Sequence, residues 1–226
     1  MKLLKDKEPK IIKYKPKEDD TLFKHQVEGI EYGLSKNKWL LLDAPGLGKT
    51  LQLIRLAEEL KKRDNIQHCL VICGLNSLKK NWQKEINKFS DLSCKIVGER
   101  VNRNGNVVNM SVADCIKQLQ QPIEEFFIII NIEKIRDDKL LKALAKNKPN
   151  KIDFIILDEA HVCKSPTTAQ GSNLLKTKAK YQVGATGTLL LNDPADVYVP
   201  LKWIGAEHST VSDFKSFYYR YEGFGG

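Results

Sequence analysis

The chain has 226 residues, of which 42% are hydrophobic and 29% are charged. These values suit one large domain or two small ones, allow a sizeable core and exclude a generally disordered chain. No stretch approaches the roughly 20 apolar residues of a membrane span, and the lysine-rich start does not resemble a secretory signal. We therefore expect a soluble, intracellular and cytoplasmic protein with no membrane partner.

The formal net charge is +9 and the sequence pI is about 9.2. A basic balance favours polyanionic partners, because neutralised phosphates release their counterions, although charge alone is weak evidence. Five scattered cysteines form no C-x-x-C pair. Cys69 and Cys73 permit a metal-ligand interpretation, but burial in a strand is favoured, and free thiols fit a reducing compartment. Abundant Lys, Ile and Asn suggest an AT-rich bacterial or phage genome.

The first half of the chain alternates between helical and strand patterns after an irregular, lysine-rich arm at residues 1–20. Apolar residues at helical spacing predict helices over 22–34, 51–60 and 77–89, the last with Ser77 as its N-cap. Short apolar runs predict buried strands over 39–42 and 69–73. Residues 94–110 give two weaker strand-like pieces around the turn at 102–105.

The alternation continues in the second half. Strands are predicted over 126–130, 152–157 and 181–184, and helices over 112–119, up to about 145, and over 194–204. Ser165-Pro166 is expected to open a further helix, as a cap followed by proline at the first position. Repeated strand–helix units predict a mostly parallel sheet covered on both faces, which binds ligands at the carboxyl ends of its strands.

Gly46-Leu47-Gly48-Lys49-Thr50 lies between a predicted strand and a predicted helix, the context of a P-loop. Backbone N–H groups and the helix N-terminus would bind phosphate oxygens. Lys49 is expected to reach the β- and γ-phosphates, and the Thr50 hydroxyl to ligate Mg²⁺. The strict G-x-x-x-x-G-K-T pattern fails at Asp43, so a glycine-rich turn that only caps a helix is the alternative.

Asp158 and Glu159 directly follow a predicted buried strand. Asp158 suits a Mg²⁺ contact, and Glu159 suits orienting and deprotonating the attacking water. An acidic pair after a strand is common, and a solvated turn is its plain alternative. Its pairing with the upstream phosphate loop makes an ATP-hydrolysing site the favoured interpretation.

Both motifs resemble those of superfamily-two helicases, and further segments narrow the resemblance to the Swi/Snf-type DNA translocases. In that family the phosphate loop usually reads Asp-Glu-Met-Gly-Leu-Gly-Lys-Thr, so Asp43 matches it while Ala44 and Pro45 depart from it. The resemblance runs from about Leu22 to Ile204. It implies a three-layer, RecA-like P-loop NTPase fold with ATP and Mg²⁺ as cofactors.

The segment from Leu22 to Gly29 resembles the family's Leu-Arg-Pro-Tyr-Gln-x-x-Gly sequence, which implies that Gln26 reads the adenine edge. His25 replaces an aromatic residue there. Gly184-Ala185-Thr186-Gly187-Thr188 and the residues up to Asn192 resemble the Thr-Gly-Thr-Pro-x-x-Asn motif. Thr186, Gly187 and Thr188 are therefore expected to couple the nucleotide state, through His161, to the position of the lobe.

Residues 74–82, ending Asn81-Trp82, resemble the family's Pro-x-Ser-Leu-x-x-Asn-Trp motif without its proline, and 129–133 resemble a second strand-tracking motif. The resemblance implies nucleic-acid contacts from Ser77, Lys79, Asn81 and Asn131. Trp82 permits a base-stacking interpretation, but its helical spacing with Leu78 and Ile86 favours the core.

The resemblance divides the chain into the arm at 1–20, a RecA-like ATP-binding lobe at 21–205, and a C-terminal extension at 206–226 that leads to a missing second lobe. Residues 214–221 resemble the segment that follows the first lobe in the annealing-helicase-like branch. The family motor needs a second lobe to stabilise transition-state charge, so we expect weak ATP binding and little hydrolysis from these residues alone.

The favoured function is that of the ATP-binding lobe of a DNA-dependent ATPase that moves along double-stranded DNA. The alternatives are a lobe of an RNA helicase or strand-separating DNA helicase, and a binding module that holds DNA without catalysis. An unrelated P-loop enzyme such as a small-molecule kinase has no support from the segments around Gln26 and Thr186.

Overall fold

A computed structural model of the chain describes residues 11–18, 20–74, 76–146, 148–188 and 193–218. Its central sheet has six strands: β1 (Lys38–Leu41), β2 (His68–Cys73), β3 (Cys94–Ile96), β6 (Phe127–Asn131), β7 (Ile152–Asp158) and β8 (Tyr181–Ala185). Their order across the sheet is β1-β8-β7-β2-β6-β3, and every pairing is parallel. A separate antiparallel pair consists of β4 (Glu99–Val101) and β5 (Val107–Asn109).

Helices connect the strands in the alternating order that the sequence predicts. They are α1 (Lys24–Ser35), α2 (Lys49–Asp64), α3 (Asn76–Phe89), α4 (Val112–Gln120), α5 (Asp138–Ala145), α6 (Ala169–Lys176), α7 (Tyr198–Trp203) and α8 (Val211–Tyr218). Short 3₁₀ helices cover Ile132–Arg136, Ala160–Cys163 and Pro194–Val197. The predicted α/β class with a mostly parallel sheet is therefore confirmed.

The core has two halves, one on each face of the sheet, because alternate residues of a strand point to opposite faces. Val71 of β2 packs with Leu53 of α2 on one face. Its neighbour Ile72 packs with Leu140 of α5 on the other face. Burial on both faces explains why the strands are continuous apolar runs rather than alternating patterns.

Three helix predictions need correction. Ser165-Pro166 does not open a helix, because α6 begins at Ala169 and Thr168 caps it by accepting a hydrogen bond from the N–H of Gly171 at 3.2 Å. Helix α3 already includes Asn76, so Ser77 lies inside it rather than at its N-cap. The helix predicted over 194–204 is a 3₁₀ turn followed by the short α7, because Pro200 has no N–H to donate to the carbonyl oxygen of Asp196 in a continuous helix.

The cysteine interpretation is correct where the structure tests it: Cys69 and Cys73 lie buried within β2, and all five thiols are free. Burial raises the pKa of Cys73 to about 12, so its thiol stays protonated. No helix in the described residues is long and apolar enough to cross a membrane. The segments at 189–192 and 219–226, with the predicted Asn192 position and the end of the aromatic cluster, lie outside the described residues.

Candidate nucleotide-binding site

The glycine-rich segment occupies the turn between β1 and α2, as the P-loop prediction requires. Gly48 caps α2 in the left-handed region, with φ of 74° and ψ of 33°. A Cβ atom at Gly48 would lie 2.2 Å from Nε2 of Gln26, so both the backbone angle and the space require glycine. The 16-residue helix α2 therefore begins at Lys49 with its first backbone N–H groups directed at the loop.

Side chains of the loop and of α2 hold the loop in shape. The Lys49 ammonium donates to the carbonyl oxygens of Asp43 at 2.8 Å and Ala44 at 3.1 Å. The Asp43 carboxylate accepts a hydrogen bond from Nε2 of Gln52 at 2.8 Å. Asp43 thus fastens the start of the loop to the first turn of α2, a role that the sequence pattern did not reveal.

Helix α1 contacts the same loop from the other side. Nε2 of Gln26 donates to the carbonyl oxygen of Leu47 at 3.2 Å, and its Oε1 accepts from the N–H of Phe23 at 3.0 Å. Nε2 of His25 lies 3.1 Å from the same Leu47 oxygen. Gln26 therefore joins α1 to the phosphate loop in this structure. Its contact with adenine stays a prediction, and would require these amide hydrogen bonds to be exchanged.

Asp158 ends β7 and Glu159 follows it, so both reach the carboxyl edge of the sheet beside the P-loop. A cleft of about 450 Å³ brings together the predicted catalytic residues Lys49, Thr50, Asp158 and Glu159. Glu159 adopts the left-handed conformation, with φ of 54° and ψ of 57°, which is uncommon for a residue other than glycine. Strained backbone of this kind concentrates at functional sites.

Trp82 of α3 reaches the catalytic cleft, which the sequence did not predict. Its side chain is buried as expected for a core residue, yet its Nε1 donates to Oδ2 of Asp158 at 2.8 Å. Burial is the main cause that raises the pKa of Asp158; the Trp82 hydrogen bond opposes the rise and the charge of Glu159 adds to it. Trp82 therefore positions and partly stabilises the ionised carboxylate of Asp158.

We expect Trp82→Phe to destabilise the protein by about 1.5–3 kcal/mol beyond its packing loss, because an ionised acceptor loses its donor. Since the folded pKa of Asp158 already lies above its ordinary value, its ionisation lowers stability as the pH rises through that pKa. Removing Trp82 raises this pKa further, so the cost of the substitution is larger at neutral pH and shrinks once Asp158 is protonated. Urea unfolding at several pH values measures it.

Trp203→Phe is the matched control. The Trp203 side chain is also buried, but its Nε1 donates at 3.0 Å to Oγ1 of Thr177, a neutral group. The cost of Trp203→Phe should therefore not change with pH across the range in which Asp158 titrates. Parallel pH profiles for the two variants would contradict the role of Trp82 at the carboxylate.

The predicted coupling residues form a contact network at the ends of β7 and β8. Nδ1 of His161 lies 2.9 Å from Oγ1 of Thr186 and 3.1 Å from Oε2 of Glu159. The Thr186 hydroxyl also lies 3.3 Å from that Glu159 oxygen and accepts from the N–H of Thr188 at 3.2 Å. A Cβ at Gly187 would approach Pro45 to 2.7 Å, so the phosphate loop packs directly on this motif.

The residues predicted to contact nucleic acid differ in their surroundings. Lys79 is 1% exposed and its ammonium pairs with Glu99 at 2.6 Å, which contradicts a phosphate contact from that side chain. Asn131 is buried, and its Oδ1 accepts from the N–H of Glu133 at 2.7 Å as the cap of a 3₁₀ helix; its contact with nucleic acid stays a prediction. Asn81 is exposed and lines the nucleotide cleft, and the Ser77 side chain lies outside the described residues.

Comparison with known proteins assigns the chain to a family. Residues 25–222 match the SNF2-related domain. The chain is 24% identical over 200 residues to the ISWI chromatin-remodeling complex ATPase ISW1 of Saccharomyces cerevisiae, covering 86% of this chain and 17% of that protein. It is 26% identical over 220 residues to the DNA excision repair protein ERCC-6-like of Danio rerio, covering 90% of this chain and 14% of that protein.

Comparison of the fold with solved structures supports the same family. The Sulfolobus solfataricus SWI2/SNF2 ATPase core in complex with dsDNA superposes with a TM-score of 0.66 at 26% identity, covering 92% of this chain and 40% of that one. The chain thus spans less than half the length of the relatives that it matches. The predicted Swi/Snf-type resemblance is confirmed. The chain belongs to the SNF2-related domain family and has the fold of the first, RecA-like ATPase lobe.

Proposed function

We propose that the chain is the ATP-binding lobe of a DNA-dependent ATPase that couples ATP hydrolysis to movement along double-stranded DNA. The observation that carries the proposal is the convergence of Lys49, Thr50, Asp158 and Glu159 on one cleft at the carboxyl edge of the sheet. An unrelated glycine-rich turn would not bring an acidic pair from a distant strand to the same cavity.

The chemistry of the cleft fits Mg²⁺ and the phosphates of ATP. The positive end of α2 and the Lys49 ammonium supply positive charge for phosphate oxygens. The Thr50 hydroxyl and the Asp158 carboxylate supply the oxygen ligands that Mg²⁺ prefers, and the ion would neutralise charge that develops on the phosphates. Among the described residues no group of three or more His, Cys, Asp or Glu side chains could hold a metal. Phosphate oxygens of ATP and water would supply further ligands, as is usual for Mg²⁺ in such sites.

The other side chains at the cleft would act in the chemical step and in coupling. Glu159 would orient and deprotonate the attacking water, since it is the second carboxylate in the cleft. His161 and Thr186, which contact Glu159, would transmit its change of state to the motif that follows β8. We infer that this motif couples hydrolysis to the position of a second RecA-like lobe. The greater length of the relatives supports such a lobe.

A nucleotide titration tests the proposed function. We expect the chain to bind Mg²⁺-ATP, and Lys49→Ala to weaken binding by about 10–150-fold, because a charge-assisted phosphate contact contributes about 1.5–3 kcal/mol. Fluorescent nucleotide binding measures both affinities. Lys62→Ala on the exposed face of the same helix is the control and should leave affinity unchanged. Equal binding by the wild type and Lys49→Ala, or none by either, would contradict the proposal.

The nucleic-acid partner is tested separately. The +9 net charge and the relative solved with dsDNA support duplex DNA as the track. Salt titrations of binding to duplex DNA, single-stranded DNA and duplex RNA should show the highest affinity for duplex DNA. Preference for RNA would instead favour an RNA helicase lobe, because A-form RNA presents a different groove shape.

A further inference from the structure

A β-hairpin projects from the lobe beside the central sheet and has no part in the nucleotide site. It consists of β4 and β5, and its tip covers residues 102–106. Oδ1 of Asn102 accepts hydrogen bonds from the N–H groups of Asn104 at 3.0 Å and Asn106 at 2.9 Å. The tip therefore has a defined conformation, stabilised by its own asparagine side chain.

The position of the hairpin follows from the sheet topology. It begins just after β3 ends at Ile96, so it leaves the sheet at the carboxyl edge, the same edge that carries the ATP cleft. Strand β3 pairs with β6, and β6 pairs with β2. The hairpin therefore neighbours the carboxyl ends of β6 and β2, where the two segments predicted to track nucleic acid begin.

Three contacts fix the base of the hairpin to those segments. The carboxylate of Glu99 pairs with Lys79 of α3 at 2.6 Å and with Lys80 at 3.1 Å. The Lys134 ammonium, in the 3₁₀ helix after β6, donates to the carbonyl oxygen of Met110 at 3.0 Å. Lys79, whose predicted phosphate contact is contradicted, thus has a different role as the anchor of the hairpin.

The hairpin carries positive charge. Residues 100–109 contain Arg100 and Arg103 and no acidic residue, and both arginines are exposed. The one carboxylate at the base, Glu99, is neutralised: burial opposes its ionisation, but hydrogen bonds from Lys79 and Lys80 hold its pKa below the ordinary value. The hairpin with its two lysine anchors is therefore a basic projection at the carboxyl edge.

We propose that the hairpin at residues 99–109 is an accessory contact for duplex DNA, in which Arg100 and Arg103 bind backbone phosphates. This inference rests on the proposed function and deepens it, since it names where a duplex track would be held. Guanidinium groups form forked, charge-assisted hydrogen bonds to phosphate oxygens. The ion pairs of Glu99 with Lys79 and Lys80 attach the base of the hairpin to α3. Phosphate contacts fix the position of a protein on the duplex without reading its sequence.

The test compares duplex binding by the full chain with that of the double variant Arg100→Gln/Arg103→Gln. We expect the affinity at low salt to fall about 10-fold or more. The slope of log K against log salt concentration should become smaller by about one to two, because each lost phosphate contact removes about 0.9. ATP binding should not change, and the thermal unfolding midpoint should stay the same because both side chains are exposed.

The matched control is Lys38→Gln/Lys178→Gln. These two lysines are exposed, and they lie at the amino ends of β1 and β8, on the opposite edge of the sheet. The control removes the same charge, so its smaller effect on the salt slope would isolate the hairpin from net charge. A second variant, Val101→Thr/Val107→Thr, keeps both arginines but removes the apolar pair that is 66% and 53% exposed, and should bind duplex DNA like the wild type.

The possible results distinguish an error in the hairpin contact from an error in the proposed function. If the wild type binds duplex DNA and ATP but Arg100→Gln/Arg103→Gln keeps the wild-type salt slope, the hairpin contact is wrong and the proposed function stands. Equal losses in the two charge variants also overturn the hairpin contact, since net charge then explains the binding. A loss of duplex binding only in the valine variant would also overturn the hairpin contact, since the exposed apolar pair rather than the two arginines would then carry the binding. Absence of duplex binding by the wild type would overturn both proposals.

Discussion

Glu159→Gln should lower ATP hydrolysis by about 10²–10⁴-fold while leaving the affinity for Mg²⁺-ATP unchanged, because general-base assistance contributes a factor of this size. The amide keeps the shape of the side chain and can still accept the Thr186 hydrogen bond. It cannot take a proton from water. Single-turnover hydrolysis with the second RecA-like lobe present, saturating duplex DNA and the protein in excess over ATP measures the chemical step even when turnover is slow.

The backbone conformation of Glu159 directs its carboxylate into the cleft. Its left-handed conformation turns the chain sharply after β7, so the carboxylate enters the cleft while Asp158 points to Trp82. The contacts from His161 at 3.1 Å and Thr186 at 3.3 Å then fix its direction. A carboxylate held by two partners is prepared for one task before the substrate arrives, which is the geometric requirement for a general base.

Glu124→Gln is the control for this prediction. Glu124 is exposed and lies near the amino end of β6, away from the cleft, so the same chemical change there should leave hydrolysis unchanged. Hydrolysis by Glu159→Gln at the wild-type rate would remove Glu159 from the reaction. A loss of ATP affinity equal to the loss of rate would show that Glu159 acts in binding rather than in the chemical step.

The sequence predicted the elements that burial controls. The apolar runs at β2 and β7 can be satisfied only between two layers of helices, so their position and parallel pairing follow from pattern alone. Their bounds differ from the predicted ones by one residue at an end. The site was predictable for a related reason, because motifs that follow such strands meet at one edge of the sheet.

What the sequence did not reveal depends on contacts between side chains distant along the chain. Trp82 was correctly predicted to be buried, but its indole N–H reaches Asp158 only because α3 packs on β2 and β6. Lys79 has no partner nearby in the sequence, and its ion pair with Glu99 forms only because the turn after β3 brings Glu99 to α3. Neither partner can be identified from spacing, since both pairs join different strand–helix units.

Arg55→Met should destabilise the protein by about 3–5 kcal/mol, because it leaves two buried carboxylates without their shared cation. The guanidinium of Arg55, in the middle of α2, pairs with Asp20 and with Glu58, the latter at 2.8 Å. These three side chains are only 5–6% exposed. For a chain of this size the loss corresponds to a fall of roughly 6–20 °C in the unfolding midpoint, which calorimetry or thermal circular dichroism measures.

The same cluster joins the N-terminal arm to the helix that begins at the phosphate loop. The Glu58 carboxylate also accepts from the Lys17 ammonium at 3.2 Å and from the Ser90 hydroxyl at 2.8 Å. Lys17 and Asp20 come from the arm, so part of residues 1–20 packs on the lobe. Loss of Arg55 is therefore expected to release the arm from α2, and limited proteolysis near Lys17 should become faster in the variant.

Lys62→Met is the matched control, with the same class of change on the same helix. Its ammonium pairs with Glu59 at 2.7 Å, but the Lys62 side chain is 62% exposed, so its loss should cost only about 0–1 kcal/mol. A further variant tests the cause of the large loss. Asp20→Asn/Arg55→Met/Glu58→Gln removes the stranded charges as well, and should recover part of the stability that Arg55→Met loses. No recovery would show that the cost comes from packing of the guanidinium rather than from unpaired buried charge.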